Sequence, residues 1–468
     1  MTNVPVKVQE SRVLQKFAIL LLSSCVVILF LYLNHVQPYY FIDEVFHVPQ
    51  TLQYCAGNFT QWDSKITTLP GLYLLATLIL SPLNICTIFY MRCINLLGTF
   101  ANFYLAYNII KHIAIIRETK RWDNWKNLMV ASNVMLFPPL FFWHFLYYTD
   151  VVSVNAVLLM LLLHLRKKFI MAAVIGLSSI IIRQTNIVWV AFVALELFLN
   201  LLDPKEHDKS MLSQECNSFV HLRLLWKKVM EEASRGWAAF SKFISEIIIR
   251  LLPYATVCVT FLGFIFWNKG IVVGDRTAHV PTIHIPQLFY FSAFVSCFLW
   301  PYTIIHWKSY LNFIRAHWIV HSCLLVVFVL IVRFDTLVHP YMLADNRHYL
   351  FYFWNKLMGR YELFKYLLIP VYSFTLYAMF HRMGHLKFAT RINYIFVVSV
   401  VLIPQLLIEP RYFITPYILY RLLLEEPSGW QIIMETVTTL AVNFVQFYIF
   451  VSKTFYWNDE IHPQRISW

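Results

Sequence analysis

The chain has 468 residues, of which 59% are hydrophobic and 18% aromatic but only 13% charged. With a mean hydropathy of +0.59, it excludes a soluble globular protein, which needs far more charge to cover its surface. The formal net charge of +13 does not point to nucleic acid, because the Lys and Arg residues sit in short stretches between apolar runs, where they report membrane orientation.

Apolar runs of about 17–25 residues, long enough to cross roughly 30 Å of hydrocarbon, recur along the chain. The short alternating segments of a β-barrel do not. The reading is an all-α polytopic membrane protein, one membrane-embedded unit over residues 1–468, with about 12–14 transmembrane helices. The first run, 17–34, follows Lys7, Arg12 and Lys16, which places the N-terminus in the cytosol. Residues 20–33 read as a signal anchor, since no small-residue cleavage site follows. Residues 35–92 then form a first lumenal loop, and the Asn58-Phe59-Thr60 sequon suits that side. The run 69–90, broken by Pro70, Gly71 and Pro82, is expected to lie in the interface. A second crossing there would put the basic stretch 111–126 on the lumenal side.

Further spans are expected near 93–110, 128–145, 151–165, 170–182 and 188–202. The polar segment 203–250 reads as a cytosolic amphipathic loop, helical from 221 and lying on the membrane. Spans near 251–267, 288–305, 318–332, 363–380, 392–408 and 431–451 complete the bundle, with a lumenal loop at 334–361. Arg382, His385, Lys387 and Arg391 then fall in the cytosol, as does the C-terminus. The eight cysteines are scattered without a CxxC pair. Cys25, Cys258, Cys297 and Cys323 lie in apolar runs and are expected as small buried thiols.

Four polar constellations fall on the lumenal side at the mouths of apolar segments. They are Asp43-Glu44 with His47, Arg183-Gln184-Thr185-Asn186, residues 335–349, and Glu409-Pro410-Arg411. For any one of them a helix-end salt bridge is the simpler account; four on one face indicate a site, because ionisable residues at such depth are usually functional or paired. A carboxylate can act as general base on a hydroxyl. Two adjacent acids in a partly desolvated place raise each other's proton affinity. Arg183, Arg347, His348 and Arg411 have the chemistry to hold a phosphate through charge-assisted contacts and to stabilise charge growing on a leaving phosphate. Base and cationic cradle together suit group transfer from a phosphate-linked donor carrying a long lipid. There is no phosphate-binding glycine loop, nucleotide-fold fingerprint, HExxH or GxSxG motif; His339 and His348 are not spaced as zinc ligands on a helix, and Asp345 and Glu409 have the chemistry to bind a divalent ion, though no motif demands one.

The stretches YFIDEVFHVPQTLQYCAGNFTQWDSKITTLPGLYL, RQTNIVW, HPYMLADNRHYLFYFWNK and PRYFITPYILYR, in order over about residues 38–422, resemble the dolichyl-phosphate-glucose-dependent α-1,2-glucosyltransferase family of the endoplasmic reticulum. The resemblance implies a GT-C glycosyltransferase fold with its active site under lumenal loops. It also implies a β-linked dolichyl phosphate glucose donor and a diglucosylated dolichyl-diphosphate-linked oligosaccharide acceptor, hence one inverting step that places the last glucose. It carries the general base onto Asp43, with Glu44 as the close alternative, and implies no metal or other cofactor. Arg347 and His348, helped by Arg411, are expected on the donor phosphate. Arg183 is expected either there or bracing the first loop through Glu44. His47, Trp62, Asp63, His339, Asp345 and Asn346 are the expected sugar or acceptor contacts. The alternatives are a mannosyl transferase of the same fold and, from a different class, a polytopic transporter or channel.

Overall fold

The computed structural model describes residues 6–116, 123–203, 218–276, 281–458 and 460–468. Helices dominate, because a backbone in hydrocarbon must satisfy its N–H and C=O groups within each segment. The one sheet among the described residues is a short antiparallel pair, Thr454–Phe455 with Gln464–Arg465. Among the described residues, six helices are long and apolar enough to cross a membrane: Val13–Val36, Ile88–Ala114, Gln184–Leu202, Trp237–Asn268, Trp318–Asp335 and Gly429–Ser452. A seventh is obtained if Pro286–Phe298 and Trp300–Ala316, bent by 99°, make one span. The apolar helices Gly71–Leu83, Thr149–Leu165, Phe169–Ile182 and Phe388–Leu402 are shorter. At 1.5 Å per residue, a helix of about 13–17 residues reaches roughly 20–26 Å, less than the hydrocarbon thickness. Six or seven of the expected crossings are therefore full-length helices among the described residues, and several others are short.

Polar contacts define two faces. On one, Gln184 Nε2 donates to the Thr67 carbonyl (3.0 Å), the Asp275 amide donates to the Ser64 carbonyl (2.7 Å) and Arg411 reaches Asp43 (2.7 Å). On the other, Asn124 Nδ2 meets Gln15 (2.5 Å), Lys126 pairs with Glu426 (2.6 Å), Lys387 pairs with Asp203, and His385 Nε2 meets the Leu423 carbonyl (2.9 Å). The Pro410–Leu423 helix runs from the first face, at Arg411, to the second, at Leu423. The sequence reading omits this passage, because two prolines, two arginines and three tyrosines break the apolar run. It is held inside the bundle by buried Arg421, paired in fork fashion with Glu435 (2.8 and 2.9 Å). The Gly429–Ser452 helix then returns to the first face. Residues 460–468 accordingly sit on the face of the first loop, where Arg465 binds Gln37 (3.0 Å). The C-terminal residues are thus on the opposite side from Arg382 and Lys387, and their expected grouping with those residues is corrected.

The polar segment also differs from expectation. The Val220–Ser234 helix ends before Gly236, whose φ of +99° breaks the chain direction, and Trp237 already opens the helix that continues to Asn268. Residues 204–217 of the segment, and 117–122 of the basic stretch, lie outside the described residues.

The 38–73 loop forms its own small core of Val48, Tyr54, Ile66, Leu72, Tyr73, Met91 and Tyr147. A Cys55–Cys86 disulfide ties the end of the Glu44–Cys55 helix to the segment after Leu83, which keeps Gly71–Leu83 on the first-loop face. Gly71 allows this helix to approach Ile181 so closely that a Cβ there would meet its backbone at 2.7 Å. The outer surface is an apolar belt in which Leu20, Leu262, Phe266 and Phe444 are exposed, as expected of a wall facing lipid. Cys25, Cys297 and Cys323 lie on it rather than in the core, and Cys258 is half-buried.

Candidate active site

The acid pair splits into two different environments. Glu44 is fully buried. Its carboxylate takes two hydrogen bonds from Arg92, Nε at 2.8 Å and Nη2 at 2.6 Å, and one each from the backbone amides of Phe41 (3.0 Å) and Tyr147 (2.7 Å). A carboxylate offers about four lone-pair positions, so Glu44 has no capacity left. Arg92 spends its remaining donors on Asn34 Oδ1 and the carbonyls of Gln37 and Tyr39. This pair rivets the 34–44 turn to the Ile88–Ile116 helix and to the 143–149 turn.

Asp43 faces the other way. It is the N-cap of the Glu44–Cys55 helix and follows Ile42, a β-branched residue held at φ +48°. Such a conformation persists only where surrounding contacts enforce it. Here the Tyr148 hydroxyl does so, accepting from the Asp43 amide (3.0 Å) and donating to the Phe41 carbonyl (2.8 Å). The Asp43 side chain is 30% exposed, and Oδ2 accepts from Arg411 Nη1 at 2.7 Å. Oδ1 has no hydrogen-bond partner among the described residues.

Arg411 is the hub of the cluster. It also binds Glu409 Oε1 (2.5 Å), lies 3.9 Å from Asp150 Oδ2, and stacks over Trp143 (5.3 Å) and Tyr148 (5.5 Å). Asp150, buried at the start of the Thr149–Leu165 helix, pairs with Arg183 at 2.6 Å. Arg183 therefore braces Asp150, and the expected Arg183–Glu44 pairing is replaced by Arg92–Glu44. Burial pushes the Asp43 carboxyl up, but Arg411 and then His47 outweigh it and hold the carboxyl below its ordinary value. Burial pushes the His47 imidazole down despite Asp43 beside it. Its Nδ1 lies 2.7 Å from the Tyr73 hydroxyl.

In the 334–361 loop, His348 Nδ1 lies 2.6 Å from the Trp468 carbonyl and Nε2 3.6 Å from Asp345 Oδ2. The Arg347 guanidinium binds Asp345 in fork fashion (2.9 and 2.7 Å) and stacks on Trp457 (4.6 Å). Asn346 accepts from Trp457 Nε1 (3.0 Å). His339 caps the Pro340–Ala344 helix by accepting from the Tyr341 amide. Trp62 packs edge-on against Tyr73 inside the first-loop core, and Asp63 Oδ1 accepts from the Lys65 amide. The structure thus brings Asp43, His47, Arg411 and Arg183 together, and sets Trp62, Asp63, His339, Asp345, Asn346, Arg347 and His348 in local contacts of their own.

Arg92 and Asp150 are the participants that sequence reasoning misses. Arg92 carried a usable signal, a charge inside an apolar run. Among the described residues, no group of three or more His, Cys, Asp or Glu side chains is placed to hold a metal ion.

A helical polytopic bundle with six or seven membrane-crossing helices and almost no sheet among the described residues is the architecture of a GT-C-like membrane protein. Residues 37–422 match the DIE2/ALG10 family. A Drosophila melanogaster relative is 36% identical over 94% of this chain and 96% of its own length. A Mus musculus relative is 34% identical over 92% and 93%, and an Arabidopsis thaliana relative 30% over 97% and 100%. All three carry the name Dol-P-Glc:Glc(2)Man(9)GlcNAc(2)-PP-Dol alpha-1,2-glucosyltransferase. No solved structure matches the chain. The chain belongs to the DIE2/ALG10 family.

Proposed function

We propose that this protein transfers glucose, in α-1,2 linkage, from dolichyl phosphate glucose to the diglucosylated dolichyl-diphosphate-linked oligosaccharide, with Asp43 as general base. The relatives' shared name supplies the substrates. The carrying observation within the site is the Asp43–Arg411 pair, a carboxylate with one free oxygen beside a cation suited to phosphate. In the step, the acceptor hydroxyl oxygen attacks the anomeric carbon on the face opposite the phosphate. Its proton passes to Asp43 while the new C–O bond forms. The bond from the anomeric carbon to the phosphate oxygen breaks, and dolichyl phosphate leaves with the electron pair. Arg411 meets the charge gathering on that phosphate. Glu44 holds the loop and takes no proton, since its oxygens are saturated.

The site is assigned to the lumen of the endoplasmic reticulum. Lys126, Arg382 and Lys387 lie on the opposite face, which suits the cytosol. The Cys55–Cys86 disulfide suits an oxidising compartment on the loop's side. The test is to incubate purified protein with dolichyl phosphate glucose or dolichyl phosphate mannose and a diglucosylated acceptor, then to determine the product linkage. Transfer from the glucose donor in α-1,2 linkage is expected; transfer from the mannose donor alone would overturn the reading.

A further inference from the structure

The 346–349 segment is held by residues far from it in sequence and outside the span matched by the family. The Ser467 amide donates to the Arg347 carbonyl (2.7 Å), and the Tyr349 amide donates to the Ser467 carbonyl (3.1 Å). His348 Nδ1 lies 2.6 Å from the Trp468 carbonyl. A carbonyl can only accept, so Nδ1 donates in this contact, and Nε2 lies 3.6 Å from Asp345 Oδ2. Trp457 supplies a ring beneath Arg347 and an N–H to Asn346. The same stretch is anchored at its other end. Buried Arg465 donates to the Val36, Phe450 and Val451 carbonyls, at the C-terminal ends of the first helix and of Gly429–Ser452, and to Gln37. A cation there complements both helix ends. His462 stacks on Tyr39 at 3.5 Å, just before the acid pair.

We infer that residues 454–458 and 460–468 form a strap that positions the 346–349 segment over the first loop, and that Trp457 and Trp468 are positioning residues for donor binding through Asn346, Arg347 and His348. The inference rests on the reading of the site given above. The strap touches neither Asp43 nor Arg411. It fixes the segment that carries Asn346, Arg347 and His348.

The test compares the full-length protein with Trp457→Ala, with a variant lacking only Trp468, and with His348→Gln. Each is assayed for KM of both substrates and for kcat. Both strap changes are expected to raise the donor KM about tenfold, the factor that one lost hydrogen bond carries, and to leave the acceptor KM within about twofold. Loss of Trp468 combined with His348→Gln should be no worse than His348→Gln alone, because the two act through one ring. Trp457→Phe, which keeps the ring but not the N–H, guards against simple misfolding and should lie between parent and Trp457→Ala. Parent-like donor KM in both strap variants, or effects that add to His348→Gln, overturns the strap. Failure of the parent protein to transfer glucose overturns the site reading instead.

Discussion

Asp43 and Arg411 are 368 residues apart in sequence, yet their side chains meet at 2.7 Å. The pairing joins the first loop to the start of the Pro410–Leu423 helix and has a chemical consequence. Beside a guanidinium the carboxyl stays ionised but is a weak base. In the proposed reaction, a donor phosphate that competes for the same guanidinium would strengthen the base when there is a substrate to act on. Asp43→Asn is expected to lower kcat by about 10²–10⁴-fold, the range of a general base, with an unfolding midpoint near that of the parent. Near-parent turnover would remove Asp43 from the base role.

The same pair predicts a pH dependence. The Asp43 carboxyl lies below its ordinary value because Arg411 and His47 outweigh burial. The stability this contributes is present above about pH 4, the unfolded value, and is lost as pH falls through the folded one. In Arg411→Gln the main opposing charge is gone and burial acts with less opposition, so the carboxyl moves up. The acid limb of kcat/KM, followed from about pH 4 to 8, is expected to shift to higher pH in Arg411→Gln. An unmoved limb would mean that the limb reports another group.

Glu44 predicts a different phenotype from its neighbour. Removing one partner of a buried, fully bonded pair leaves an uncompensated charge and typically costs about 3–5 kcal/mol. Glu44→Gln and Arg92→Gln are therefore expected to lower the unfolding midpoint in detergent and the folded yield. Any protein that survives should retain pH behaviour set by Asp43. Full stability with selective loss of turnover in Glu44→Gln would reverse the assignment of the two acids.

What the sequence made legible follows from the range of each interaction. The apolar runs and the four polar mouths are local signals, and they located Asp43, Arg183, His348 and Arg411 on one face. Pairings are not local. Arg92 reaches Glu44 across 48 positions and Arg183 reaches Asp150 across 33, and no periodicity encodes which cation meets which acid. Asp150 in particular reads as an ordinary acid in a helix first turn. The Pro410–Leu423 passage is hidden because a helix lined by other helices can carry Arg421 opposite Glu435, which a hydropathy count penalises.

The disulfide yields a separate prediction. Cys55 and Cys86 close a loop across 31 positions, which corresponds to about 3.5 kcal/mol of chain entropy removed from the unfolded state. The double substitution to serine should lower the unfolding midpoint, and reductant should lower that of the parent but not of the variant. Free thiols at both positions in protein isolated from cells would count against the oxidising location of the first loop.

The path of the last two helices predicts where the C-terminal residues lie. Arg465 bonds Gln37 while Glu426, at the other end of the Gly429–Ser452 helix, bonds Lys126. Contacts of about 3 Å cannot bridge a hydrocarbon layer of roughly 30 Å, so Arg465 shares a side with Asp43 and Glu426 does not. A glycosylation sequon engineered at Ile461, which is 90% exposed, is expected to receive a glycan together with the natural site at Asn58. One placed between Glu425 and Ser428 should receive none. Glycan addition only at the latter would invert the bundle and place the Asp43 site in the cytosol.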